Sequence, residues 1–181
     1  MQPADVAILD AAERCVERFG LRRVSMADVA GAAGVSRRTI YNRFGDRTAL
    51  VDAVLERAAD RFVADSEASV DRRRTLAGQV GEAAVYIRTH ATGPGTESLL
   101  ATILAAGAPT LVDRWVDFWQ PRLAAAAERG EIRARLDHRR AGEWIVRLLL
   151  SFAVMPSATV DLDDHDDVRR FVRDHLVRGL S

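Results

Sequence analysis

Ser25 to Phe44, SMADVAGAAGVSRRTIYNRF, reads as two short helices joined by one tight turn, with arginines gathered on the second. Ser25 caps the first helix, and Asp28, three residues on, completes a capping box in which each residue satisfies a backbone donor of the other. Met26, Val29, Ala30 and Ala33 turn an apolar side inward. Gly34 ends that helix, because glycine reaches positive φ without a Cβ clash; Val35 packs beneath the turn and Ser36 caps the next helix. The second helix is expected from Arg37 to about Phe44. Ala30, Gly34 and Ile40 stand four and then six residues apart. That spacing meets three demands of a helix-turn-helix: a small residue where the helices touch, a glycine in the turn, and a branched apolar residue that locks the second helix down. An ordinary helical hairpin shares any one of these features, but cap, turn and arginine face agree on a DNA-reading element.

The surrounding charge supports this. The chain has 181 residues and is 48% hydrophobic, enough for one compact domain or for a small domain joined to a larger one. Its 26 basic and 26 acidic residues cancel, which excludes a uniformly basic coat. Any attraction for DNA must then come from local asymmetry. Between Gly20 and Arg47 six arginines face only Asp28 and Asp46, whereas Val160 to Asp167 holds five aspartates and no base. Every basic residue is arginine, a bias that a GC-rich coding sequence explains together with the abundant alanine, although guanidinium also suits phosphate and guanine. The lone Cys15 falls on an apolar helix side, excludes an intramolecular disulfide and reads as core. No basic-plus-apolar leader is read at the amino terminus. The longest mainly apolar stretch, Trp144 to Met155, is too short for a bilayer and contains Arg147, so a cytoplasmic protein is expected.

Apolar spacing near 3.6 runs through almost the whole chain, so the fold is expected to be all-α. A first helix over about Ala4 to Phe19, with Ile8, Leu9, Ala12, Cys15, Val16 and Phe19 on one side, completes a three-helix head. Residues 1–46 form this head. Asp46 caps a connecting helix of about 47–66, and residues 67–181 form a second domain. In that domain Leu76 to Ile87 carry an amphipathic helix ended by Gly93-Pro94-Gly95, and a short helix is expected over about Thr96 to Ala106. Pro109 opens a longer helix that Pro121 is expected to kink or interrupt and Gly130 to end. The helix from about Arg139 to Met155 is apolar on nearly every side after Trp144 and needs burial on two faces. A last helix carries Val168, Phe171, Val172, Leu176 and Val177.

Over about residues 6 to 55, ILDAAERCVERFG, VSMADVAGAAGVSRRTIYNRF and GDRTALVDAVL follow in order a pattern that resembles the TetR family of bacterial one-component regulators. Beyond residue 55 the likeness is general: size, helical character and the ERGEI turn around Gly130. The resemblance implies a homodimer whose heads sit in successive major grooves of a palindromic operator, and a larger helical domain whose small-molecule effector alters head spacing. A twofold pair also makes physical sense, because one recognition helix supplies few base contacts. By the same resemblance Ser25 and Ser36 cap helices and meet phosphate at helix amino termini, while Arg37, Arg38, Thr39, Asn42 and Arg43 form the exposed reading face. Tyr41 would meet the DNA backbone, Phe44 plug the core, and Arg47 take the place of a phosphate-binding lysine. Arg43 stands where the family commonly has histidine, and Arg37-Arg38 is more basic than usual, so the operator sequence does not transfer.

Two further groups of residues admit competing readings. Trp115, Phe118, Trp119, Trp144, Leu148, Phe152 and Met155, with Tyr86 and His90, either pack a core or line an apolar cavity for a hydrophobic or amphipathic effector. Leu149 and Phe152, with Val168, Phe171, Val172 and Leu176 of the last helix, are expected to pair with their twofold copies across well over about 1,000 Å². Asp163 to Asp167 also invites an enzyme reading, a magnesium-dependent all-α synthase, but capping and dipole compensation account for aspartates at a helix start. No metal-ligand spacing, nucleophilic triad or cofactor motif is read. A DNA-binding module without an effector is the remaining alternative.

Overall fold

The structure, a computed structural model, describes residues 3–91 and 109–180. Among these residues it is all helical: α1 Pro3–Phe19, α2 Met26–Ala33, α3 Arg37–Phe44, α4 Arg47–Val70, α5 Leu76–Ala91, α6 Pro109–Glu128, α7 His138–Val154 and α8 His165–Leu180. Gly93-Pro94-Gly95 and the short helix expected over Thr96 to Ala106 lie outside the described residues. The chain forms two compact units that divide inside α4 after Asp60.

In the first unit, α2 and α3 pack with α1 around Ile8, Leu9, Ala12, Val29, Ile40, Leu50 and Val54, all buried. Ile40 is completely covered, and burying such a side chain is worth about 2–3 kcal/mol. The capping box forms as the sequence implies: the Asp28 N–H donates to Ser25 Oγ at 3.2 Å and the Ser25 N–H to Asp28 Oδ2 at 3.0 Å. Gly34 closes α2 at φ 67°, its N–H turned back onto the last carbonyls of the helix. Asp46 opens α4 by accepting the Ala49 N–H at 2.9 Å. Arg57 of α4 then ties this helix to α1, donating to the Val6 carbonyl at 3.1 Å and pairing with Asp10 and Glu13.

The second unit contains the end of α4 with α5 to α8. The last turn of α4 reaches Val70 rather than ending near Ser66, because Val70 is fully buried and anchors it. α5 packs along α7 and α8, and α7 packs along α6. A glycine permits the closest of these approaches, between α6 and α7. A Cβ on Gly142 of α7 would stand 3.2 Å from the Val116 carbonyl of α6, tighter than ordinary contact, whereas one on Gly81 of α5 would meet the Arg169 Cα of α8 at an ordinary 3.5 Å. The ERGEI turn joins elements as well as ending one, since the Glu131 carboxylate accepts the first N–H of α5 from Leu76 at 2.7 Å.

Pro121 does not interrupt its helix: α6 runs unbroken from Pro109 to Glu128. A proline inside a helix removes one N–H and crowds the preceding turn, at about 3 kcal/mol. Here the helix continues through it with α6 packed along α7, and Arg122 adds a side-chain bond within α6, its Nη1 donating to the Phe118 carbonyl at 2.7 Å.

Candidate nucleic-acid interface and apolar cleft

Ser36 caps α3, accepting the Thr39 N–H at 3.1 Å and sharing a hydroxyl hydrogen bond with Thr39 Oγ1 at 2.9 Å. With Ile40 locked beneath, the outer side of this short helix is fixed. Arg37, Arg38, Tyr41 and Asn42 are exposed on it, Tyr41 by half, and Thr39 is partly covered. Arg37 and Arg38 have no ion-pair partner among the described residues. Two uncompensated guanidinium groups on a rigid, capped helix start are what phosphate or guanine recognition needs.

The other expected DNA contacts fall differently. Arg43 pairs with Asp5 in the first turn of α1. Arg47 turns back into the protein, Nε donating to the Val24 carbonyl at 2.8 Å and Nη2 to the Leu21 carbonyl at 2.5 Å. It clips down the loop between α1 and α2, a structural task the sequence reading did not give it. Ser25 donates its hydroxyl to Asp28 Oδ2 at 2.6 Å, so that donor points at a carboxylate rather than outward. Asp5 and its pairing were missed because no local pattern connects positions 38 residues apart.

In the second unit a narrow apolar cleft, partly open to solvent, leaves about 30 Å³ of free space. Of the aromatic set expected there, Trp115, Phe118 and Trp119 line it. The rest of its wall comes from residues not expected in it, among them Phe62, Val63 and Ser66 of α4 and Ala83 and Ile87 of α5. The apolar face of α4 was legible, but not that its end would become a cleft wall. Among the described residues of the wall Ser66 carries the one hydroxyl, which donates to the Val63 carbonyl at 2.8 Å. Tyr86 lies behind that wall, edge-on to Phe62 at 5.1 Å and stacked on His90 at 4.0 Å. Burial pushes the Tyr86 phenol above its ordinary pKa, with the Asp65 carboxylate adding to the effect. Arg122 lies on the wall residue Phe118: its guanidinium is 3.6 Å from the centre of the Phe118 ring and pairs with Glu67 at 3.0 Å and Asp71 at 2.7 Å. Cleft wall and the end of α4 are therefore fastened through one side chain that is only 10% exposed.

Trp144, Leu148 and Phe152 do not line the cleft. Phe152 is buried and meets Phe171 edge-on at 6.1 Å, joining α7 to α8. Trp144 is 40% and Met155 61% exposed, and with half-buried Leu148 they form one stripe along the outside of α7. This alters the expected contact face. Leu149, Phe152, Val168, Val172 and Leu176 are covered within the chain itself, because α5, α6 and α8 already occupy the inner side of α7. Phe171 alone of the expected set is only half-buried.

The aspartates at the start of α8 are engaged in local structure. Asp163 pairs with Arg88 at 3.1 Å, Asp166 with Arg169 at 2.9 Å and Asp167 with Arg170 at 3.1 Å. The Asp161 N–H, and after it Arg170, hold the Asp167 carboxyl below its ordinary pKa. No group of three or more His, Cys, Asp or Glu among the described residues is placed to hold a metal ion, and no described helix is long and apolar enough to cross a membrane.

Residues 8–54 match the profile of bacterial regulatory proteins of the tetR family. Among curated proteins, the chain is 31% identical over 135 residues to the helix-turn-helix transcriptional regulator AqdR of Rhodococcus erythropolis, covering 72% of this chain and 62% of that one. It is 42% identical over 65 residues to the regulator AlkX of Mycobacterium tuberculosis, covering 36% of this chain and 31% of that one. The chain thus spans from about a third to about three-fifths of the length of these relatives. Among solved structures, the TetR family repressor AlkX of a Dietzia strain, implicated in biodegradation of n-alkanes, superposes with a TM-score of 0.67 at 24% identity, covering 99% of this chain and 97% of that one. FadR of Bacillus subtilis in complex with stearoyl-CoA gives 0.69 at 19% identity, covering 97% and 99%. These last two likenesses concern the fold.

Proposed function

Because the chain belongs to the TetR family of bacterial regulatory proteins, we propose that it is a DNA-binding transcriptional regulator, a repressor released from a palindromic operator when a small apolar effector enters its second domain. Residues 1–46 hold DNA, about 47–66 of α4 connect, and residues 67–181 take the effector and the second copy of the chain. The observation that carries this is the pair Arg37 and Arg38, exposed and without ion-pair partners on a helix fixed by the Ser36 cap, the Gly34 turn and buried Ile40. Selection from random duplexes tests it. Recovery of a twofold-symmetric site with half-sites about ten base pairs apart is expected, with binding that weakens steeply as salt rises. Salt-independent binding, or no selected sequence, would overturn it.

An uncharged effector is favoured by the cleft wall, where among the described residues no side chain is charged and the one hydroxyl already has an acceptor. Burying a charge there would leave it without a partner. A hydrocarbon or acyl chain matches the chemistry of such a wall, in keeping with the n-alkane context of the Dietzia repressor and the stearoyl-CoA in the Bacillus subtilis protein, and its entry requires the helices around the cleft to part, since only about 30 Å³ is free there. The fastening of Phe118 to Glu67 and Asp71 through Arg122 gives the occupied cleft a direct hold on the end of α4. Release of the selected duplex by neutral alkanes or aromatic hydrocarbons, and not by charged analogues of the same size, is the expected result. For the homodimer, the face is the stripe of Trp144, Leu148 and Met155 with Phe171, not the inner set. The reading involves no catalytic residue, metal or cofactor.

A further inference from the structure

The arginines around the turn are not equivalent. Arg37 and Arg38 have no ion-pair partner among the described residues, whereas Arg43, one turn beyond Arg38 and Thr39 on the same short helix, meets Asp5 through Nη1 and Oδ1. The two side chains are 31% and 24% exposed, shielded enough that solvent screens their attraction only in part. Asp5 lies in the first turn of α1, where the helix dipole favours a carboxylate, so its charge is well placed to persist. We propose that Asp5 is a specificity-determining residue for DNA, acting through Arg43 as an internal competitor that DNA must displace.

A guanidinium already on a carboxylate gains little from a passing phosphate, since one anion replaces another and the displaced Asp5 is left beside the DNA backbone. A bidentate guanine fork, available only when the head sits in register, offers Arg43 two acceptors in a plane and competes better. The pair therefore weakens non-specific binding more than specific binding, which raises the ratio that decides occupancy among many competing sites. Arg37 and Arg38 supply attraction at any sequence, and Arg43 joins only at the right one.

This inference rests on the proposed DNA binding, and the test separates the two. Binding of the full-length protein to the selected duplex and to a random duplex of equal length is measured across salt concentrations for wild type, Asp5→Asn, Arg43→Gln and the double variant. Asp5→Asn is expected to tighten random-duplex binding by about two- to fivefold, the span of an exposed ion pair. It should also steepen the salt dependence by about 0.9, one phosphate contact, while changing the selected duplex less than twofold. Arg43→Gln, which leaves α1 intact, is expected to weaken the selected duplex and to change the random one less than twofold. In the double variant the Asp5→Asn gain disappears. The inference is overturned if Asp5→Asn leaves random-duplex binding unchanged, if its gain survives without Arg43, or if Arg43→Gln weakens random-duplex binding as much as Arg38→Ala does. Failure of the wild type to bind any duplex in a salt-dependent way would instead overturn the proposed function.

Discussion

The first unit sorts its arginines by partner, and the second sorts its aromatic residues by burial. Around the turn, Arg37 and Arg38 remain uncompensated, Arg43 is paired and Arg47 is turned inward. In the second unit Trp119 is buried against the cleft, Phe152 fills the contact between helices and Trp144 lies outside. Residue type alone does not separate the members of either set. Their fate depends on what a distant helix brings to them, and substitutions within each set should therefore differ sharply.

The largest contrast is expected on DNA. Arg37→Ala with Arg38→Ala should weaken binding of the selected duplex by more than about a hundredfold and reduce the salt slope by about 1.8, two phosphate contacts. Fluorescence anisotropy of a labelled duplex reads both. A loss below tenfold would mean that these two exposed arginines are solvated surface, and the distinction between free and tied arginines would lose its functional meaning.

In the second unit the corresponding contrast is in stability. Trp119→Ala removes a large side chain that is 2% exposed and should cost about 3–5 kcal/mol, read by chemical denaturation. Trp144→Ala, on the outer stripe, should leave the unfolding of a protomer within about 0.5 kcal/mol. Its effect belongs to assembly: Trp144→Arg should weaken the dimer by about 2 kcal/mol or more, measured by sedimentation over a dilution series. Equal destabilisation by both tryptophan substitutions would show that α7 has no separate outer face.

Much of this was legible in the sequence wherever the cause was local. The capping box of Ser25 and Asp28, the Gly34 turn at φ 67°, the burial of Ile40 and the Asp46 cap depend on residues within a few positions of each other. Helical spacing likewise gave the all-α architecture. What spacing could not give was the side chain's destination. Pro121 reads as a kink or interruption because it removes an N–H from the ladder, but local propensity does not say whether the packing of α6 along α7 will carry the helix through it. The inner faces of α7 and α8 read as a dimer contact because apolarity on two sides does not say which side the same chain will cover. Phe62, Val63 and Ser66 read as an ordinary helix face, since only their position against Ala83 and Trp115 makes them a wall.

Arg47 gives the smallest effect and the finest test. It carries the same charge as Arg38 and lies only nine positions away, so a purely electrostatic account makes the two interchangeable on DNA. Their hydrogen bonds distinguish them: Arg47 offers Nε and Nη2 to the Val24 and Leu21 carbonyls and holds the loop that leads into the capping box. Charge-assisted bonds to carbonyls are worth about 1.5–3 kcal/mol when buried and less where one of them is exposed, as here. Arg47→Gln should therefore lower the thermal stability of the head by about 1 kcal/mol, seen as a reduced melting temperature, while the salt slope changes by less than 0.5, well under the ~0.9 of one phosphate contact. A full unit of lost slope with unchanged melting would place Arg47 on phosphate after all. The division between tied and free arginines would then end at Arg43.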